Sequence, residues 1–231
     1  MDRYNQSSLE AANQIQANDL KNRSKYPYVD TRIIEDFLSE PELWRYFALQ
    51  QNYSKANNEC WPGQRTLSLA ELDEGLFESF ATTLLKHMPM YKGFHKLNAC
   101  FHLIDETYGN GWVHDDDPNS NLSGIIYLNK QTPRDCGTTF YDDRWDNEAD
   151  YFHNKIQQDI LQYTADQRKD MKSYRDKQRA NFKPNITVQS YWNRGIIFDP
   201  RTWHSADNFF GNSLETSRLN LVFYAVAATN G

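Results

Sequence analysis

Three separated stretches of this 231-residue chain carry side chains that could do chemistry together. Gly111-Trp112-Val113-His114-Asp115-Asp116 supplies a histidine and a carboxylate two residues apart. Arg201-Thr202-Trp203-His204 supplies a second histidine, and Ser217-Arg218-Leu219-Asn220 an arginine heading an apolar run. Two imidazoles and one carboxylate can hold a ferrous ion while leaving positions open for a co-substrate and oxygen. Alternate side chains of a strand share a face, so His114 and Asp116 would project together while Asp115 points away. His204 follows the apolar stretch Gly195-Ile196-Ile197-Phe198 and the turn Asp199-Pro200, so a downstream strand could bring it opposite His114. A guanidinium heading the run Leu219 to Tyr224 is costly to bury alone. An acidic co-substrate would satisfy Arg218 through a bidentate pair, and Asn220, two residues on, would face the same way. The remaining histidines, His87, His95, His102 and His153, fit no ligand spacing. His102 lies nearest the expected site.

These residues need a frame. Met1 to about Tyr28 lacks strong periodicity and reads as an N-terminal arm (1–28), with a short polar helix around Ser8 to Leu20. A helix is expected over 33–50, with Phe37, Leu43, Trp44 and Phe47 on its apolar face, Ser39 to Glu42 as its cap, and Pro41 in its first turn. A second is expected over 69–88, where Leu72, Leu76, Phe80, Leu84 and Met88 recur every four residues before Pro89. Beyond Gly93 the pattern changes to short β-like runs: Leu97 to Leu103, Trp112 to His114, Leu122 to Leu128, Thr138 to Tyr141, Gly195 to Phe198 and Leu219 to Ala227. Turn residues separate them. Helices followed by many short strands imply a mainly β protein with α (α+β), a barrel or sandwich buttressed by N-terminal helices within one domain, 29–231. A charged stretch, 142–183, interrupts the strands. Ile156, Ile160 and Tyr163 suggest a helical stripe there, and basic residues predominate from Arg168 to Lys183. It reads as a helical insertion, either a solvated helix pair or a flap over the barrel mouth.

Composition narrows the function classes. A net charge of −6 argues against non-specific nucleic-acid binding. No apolar run is long enough to span a bilayer, and the polar N-terminus is no secretory signal. Cys60, Cys100 and Cys136 form no Cys-x-x-Cys pair and read as reduced thiols, consistent with a cytoplasmic protein. Aromatic residues make up 14% of the chain, which suits a β-rich core. Tyr108, Trp112 and Trp203 flank the candidate ligands and are candidates for the lining of a substrate pocket.

From about Asn98 to Ala227 the chain resembles the Fe(II)/2-oxoglutarate-dependent oxygenases, in their prolyl-hydroxylase-like branch. The resemblance rests on Asn98-Ala99-Cys100-Phe101, Tyr108 to Asp116, Gly124-Ile125-Ile126-Tyr127-Leu128-Asn129, Cys136-Gly137-Thr138-Thr139-Phe140, Arg194 to Asp199, His204 and Arg218, which occur in the family's order. It implies a double-stranded β-helix, a jelly-roll or cupin-like barrel with core strands over 96–227. It also implies that His114, Asp116 and His204 bind Fe(II), that Arg218 holds 2-oxoglutarate, and that Tyr127 assists Arg218. Oxygen would be the second co-substrate. The implied activity is a dioxygenase that hydroxylates an unactivated C–H bond of an amino-acid residue in a polypeptide, or of a free amino acid or peptide-like metabolite. Halogenation is disfavoured, because Asp116 stands where halogenating relatives carry a small residue. The chain departs from the family's pattern in four places. Cys136 replaces the first glycine of the Gly-Gly-x-Thr stretch. Arg218 lies farther from His204, with Phe209 to Ser213 as the loop that absorbs the difference. Asn220 replaces a serine, and the insertion 142–183 has no counterpart. Two other readings remain: a nucleic-acid-modifying oxygenase using the basic stretch, and a barrel that binds a metal or ligand without turnover.

Overall fold

The computed structural model describes residues 28–55, 62–117, 119–142 and 172–229. Residues 1–27 of the N-terminal arm, Cys60 and most of the insertion, with His153, Ile156, Ile160 and Tyr163, lie outside the described residues.

Among the described residues, nine strands form two antiparallel sheets: β1 (Arg32–Ile34), β2 (Gln64–Arg65), β3 (Tyr91–Ile104), β4 (Leu122–Tyr127), β5 (Gly137–Tyr141), β6 (Pro184–Gln189), β7 (Gly195–Phe198), β8 (His204–Ala206) and β9 (Arg218–Thr229). The larger sheet has the order β1-β7-β4-β9-β3-β2, the smaller β6-β5-β8. Isolated bridges Asn110↔Asn208 and His114↔His204 lay the irregular segment 110–114 along the free side of β8. The two sheets face each other as a double-stranded β-helix.

Strict alternation sets the faces. On β9, Leu219, Leu221, Phe223, Ala225 and Ala227 join the main core, while Arg218 and Asn220 occupy the alternate positions. On β4, Leu122 and Ile126 pack into the same core, whereas Tyr127 belongs with Phe140, Val188, Ile196 and Phe198 to a second cluster between the sheets. Helices cover the outer face. Phe80 stacks edge-on against Trp44 at 6.1 Å and Phe223 at 5.4 Å. Gly124 lets the Phe223 ring lie flat on β4: a Cβ there would meet it at 2.3 Å.

The helices differ from expectation in their bounds. The first, α1 (Pro41–Leu49), starts eight residues later than expected. Arg32–Ile34 instead pairs with β7 as an edge strand, and its β-branched residues suit that place. Pro41 fixes the start, because it occupies N1 and disfavours helix in the residue before it. The cap is Glu40 with no side-chain bond, not Ser39. Trp44 and Ala48 are buried, while Leu43 faces solvent. The expected 69–88 helix is two, α2 (Leu69–Leu72) and α3 (Glu74–His87). Asp73 separates them. Its backbone is extended and its carboxylate accepts from Leu76 N–H at 2.7 Å, so it ends one helix and caps the next. Strands β1, β2, β6 and β8 were not expected. All but β6 are only two or three residues long, too short for periodicity to register.

Of the insertion, residues 172–179 form helix α4 (Lys172–Arg179), whose Arg179 bonds to the Ala206 carbonyl of β8. It is not a solvated helix. Arg175 and Gln178 are 4% and 1% exposed.

Candidate metal centre

His114 and His204 face each other across an antiparallel bridge, each backbone N–H donating to the other's carbonyl at 2.9 Å. Their ring centroids are 4.4 Å apart. Each imidazole is oriented by its own chain: the Nδ1 of His114 lies 2.9 Å from the Trp112 carbonyl, and that of His204 3.0 Å from the Thr202 carbonyl. A carbonyl only accepts, so both Nδ1 atoms carry the proton and each Nε2 presents the lone pair that can ligate a metal. Asp116 lies between them, one oxygen 3.8 Å from His114 Nε2 and the other 3.8 Å from His204 Nε2. The three ligand atoms lie within 4.8 Å of one another. Two metal–ligand bonds of about 2.1 Å span at most about 4.2 Å, enough for the two 3.8 Å separations, while the widest needs a small inward shift of the side chains. Burial pushes the His204 imidazole down to about 4 against the opposing pull of Asp116, so its ring is neutral at pH 7, as a ligand must be.

The turn before His204 is pinned. Asp199, 1% exposed, takes both Nε (2.7 Å) and Nη2 (2.6 Å) of Arg201 and the Val29 N–H. Asp116 N–H then donates to the Pro200 carbonyl at 2.8 Å, tying the segment that carries the carboxylate to this turn. The centre opens on one side: the His114 side chain is 22% exposed, those of Asp116 and His204 about 4–5%.

Arg218 is 1% exposed. Nη1 donates to the Gly137 carbonyl at 2.9 Å, and the guanidinium lies over the Tyr127 and Phe209 rings at 5.5 and 5.6 Å. Among the described residues no carboxylate forms an ion pair with it. A buried cation in that setting suits an anionic group from outside the chain. The long loop before it explains its position: Gly211, at φ 77°, turns the chain so that Phe209 returns onto the guanidinium and the Phe210 carbonyl accepts from Arg218 N–H. Asn129 holds both flanks of Arg218, donating to the Ser217 carbonyl at 2.9 Å and accepting from Leu219 N–H at 2.7 Å. With its amide turned to suit its neighbours, Asn220 accepts from Arg218 Nε at 3.2 Å. The Tyr127 hydroxyl bonds Thr138 Oγ1 at 2.7 Å and, being buried, is pushed above its ordinary pKa.

The structure thus groups His114, Asp116 and His204, and separately Arg218, Tyr127 and Asn220. The expected pocket residues fare differently. Trp203 sits with Val113, Tyr141 and Phe182, on the face away from His204, because neighbouring strand residues point to opposite sides. It therefore does not line the centre. Trp112 lies under the Arg175 guanidinium at 5.9 Å, and Tyr108 borders a cleft of about 290 Å³ beside Leu103 and Ser217. His102 is buried on β3, its Nε2 2.7 Å from the Pro62 carbonyl and outside the ligand group.

Sequence reading missed Thr138, Asn129 and Gln178. Asn129 carried a signal, the Tyr-Leu-Asn ending of its strand. The burial of Gln178 and Arg175 carried none, since both lie in a strongly charged stretch. That burial, with Arg179 ion-paired to Asp207 at 2.9 Å, also takes these cations away from any phosphate-tracking surface.

HygX from Streptomyces hygroscopicus, solved with nickel and 2-oxoglutarate bound, matches 85% of this chain and 82% of its own at 10% identity and a TM-score of 0.54. An oxidoreductase of the 2OG-Fe(II) oxygenase family from Burkholderia pseudomallei matches 91% and 92% at 9% identity and 0.50. A prolyl-4-hydroxylase of Pseudomonas putida matches 87% and 93% at 14% identity and 0.48. The first two establish that this chain has the fold of the 2-oxoglutarate oxygenases, as its motifs suggested. No curated protein matches in sequence. Residues 14–214 match the model of the family described as "Family of unknown function (DUF6445)", and the chain belongs to that family.

Proposed function

We propose that this protein is an Fe(II)- and 2-oxoglutarate-dependent dioxygenase that hydroxylates an unactivated C–H bond. The observation that carries the reading is the convergence of two Nε2 atoms and one carboxylate within 4.8 Å, on a fold that also buries Arg218 with no described carboxylate partner. His114, Asp116 and His204 would hold the iron. Arg218, with Asn220 on its Nε and Tyr127 against its face, would bind the distal carboxylate of 2-oxoglutarate. Iron, 2-oxoglutarate and oxygen together supply the oxidising power, with succinate and carbon dioxide as by-products.

The chain's own contribution is orientation and exclusion of water. The Trp112 and Thr202 carbonyls keep both imidazoles in the ligating tautomer. Phe198 and Phe140 lie 4.6 and 6.0 Å from the His204 ring and keep that side of the centre dry. The exposed side of His114 is where a substrate would arrive. The substrate class we propose is an amino-acid residue within a polypeptide, or a free amino acid or peptide-like metabolite.

Anaerobic addition of Fe(II) and 2-oxoglutarate tests the reading. A weak visible charge-transfer band is expected, and His114→Ala should abolish it. Substrate-stimulated succinate release, followed by mass spectrometry for one added oxygen atom, would then identify the substrate among amino acids, peptides and cell extract. A folded protein that gives no band would instead be a barrel without turnover.

A further inference from the structure

Helix α4 reaches across both segments that carry the histidines. On one side, Gln178 accepts from Val113 N–H at 2.9 Å and donates from Nε2 to the Val113 carbonyl at 2.6 Å. This single amide stands in for a neighbouring strand along the outer side of the irregular segment 110–114. One turn earlier, Arg175 Nε donates to Asn110 Oδ1 at 3.1 Å, and its Nη2 donates to the Tyr108 carbonyl. The same guanidinium covers the Trp112 ring. On the other side, Arg179 donates to the Ala206 carbonyl and to Asp207 Oδ1, both at 2.9 Å.

The segment has need of such a hold. It is held to β8 by the bridge at His114 and one bond from Gly111 N–H to the Ala206 carbonyl at 2.9 Å, and to Asn208 beyond β8 by a bridge at Asn110, with no continuous ladder. Between them lie the Trp112 carbonyl, which fixes the His114 tautomer, and Val113, whose peptide groups point away from β8. A shift of this peptide would move the His114 ring and its Nδ1 acceptor together.

We propose that Gln178 is a positioning residue for His114, and that α4 sets the spacing of the two histidines by clamping both their segments. The proposal rests on the reading of His114, Asp116 and His204 as metal ligands. Gln178 touches neither metal nor substrate in this scheme. It acts through Val113.

Cobalt(II) alone, titrated anaerobically and followed by its visible bands, tests the clamp without any need for turnover. Gln178→Met keeps the side chain's bulk and removes both hydrogen bonds. Outer-shell partners of metal-bound histidine are worth about 10- to 100-fold in affinity, so cobalt binding should weaken about tenfold or more, with altered band intensity. Gln178→Glu keeps the acceptor for Val113 N–H and should recover part of the loss. Asn121→Leu is the control. Asn121 clamps Ala227 in the same two-bond manner, at 3.0 and 2.7 Å, and bonds to neither histidine segment. Its loss should lower thermal stability and leave cobalt affinity unchanged. Arg179→Met severs the clamp from the His204 side. It carries the same expectation as Gln178→Met and serves in its place if that variant does not fold. Wild-type affinity and spectrum in a folded Gln178→Met or Arg179→Met protein would overturn the proposal. A wild-type protein that binds no cobalt would instead overturn the metal-centre reading beneath it.

Discussion

Two buried cationic or titratable residues give separable expectations. Arg218→Met removes a guanidinium that no described carboxylate balances, so folding stability should change by no more than about 1 kcal/mol in urea denaturation. Affinity for 2-oxoglutarate, read from the charge-transfer band, should fall about 30- to 150-fold, the worth of about 2–3 kcal/mol for a charge-assisted pair. Fe(II) binding alone should be unaffected. His102 behaves differently. Burial, with help from the Arg65 and Arg218 charges, pushes its pKa from 6.5 down to about 3 in the folded protein. The unfolded chain takes up a proton first as pH falls, so this contribution is complete above about 6.5 and is lost progressively toward 3. His204, lowered to about 4, acts with the same sign. Urea denaturation of the metal-free protein should therefore show stability falling between pH 6.5 and 4, with a slope of at most about 1.4 kcal/mol per pH unit per histidine. His102→Gln should flatten that limb.

At the scale of elements, local alternation makes strands legible and burial decides their partners. Gly195–Phe198 has the bounds its sequence suggests, because four apolar residues end at the Asp199-Pro200 turn. Helix α1 does not, because Ile33 and Ile34 serve equally well in a strand beside β7. Gly124 and Gly93 test how closely the larger sheet is packed. A Cβ on Gly124 would meet the Phe223 ring at 2.3 Å and the Ile196 carbonyl at 2.5 Å, whereas one on Gly93 has nothing within 4 Å. Gly124→Ala should destabilise by about 1–3 kcal/mol through overpacking. Gly93→Ala should be neutral, or stabilise by up to about 1 kcal/mol through lost freedom in the unfolded chain. Thermal denaturation of the two variants compares them directly.

For the whole molecule, the division of labour lies between the faces of the larger sheet. Its outer face, where Phe223 meets Phe80 of α3 and Phe80 in turn meets Trp44 of α1, holds the helices on, and its inner face carries Arg218, Asn220 and Tyr127. Phe80→Ala should cost about 3–5 kcal/mol of stability and leave metal affinity of the folded protein unchanged, since Phe80 contacts only the outer core. The negative net charge and the inward use of Arg175 and Arg179 lead to a further expectation: binding to DNA or RNA should be weak, without the steep salt dependence of phosphate tracking. Among the described residues, no helix is long and apolar enough to cross a membrane.

By itself the sequence singled out the candidate ligand types, their order along the chain, and the arginine proposed to bind an acid. Such residues stand out against apolar strands, and the alternation expected of a strand singled out Asp116 rather than Asp115, the residue the structure groups with His114, although the segment is irregular. Tertiary structure alone decided what holds them. Trp203 turns away from the centre because His204 turns toward it. Gln178 meets Val113 from 65 residues away, through a helix whose charged composition reads as solvated. Whether a polar side chain is buried depends on the partners that folding brings to it, and those partners leave no periodic trace in the sequence near it.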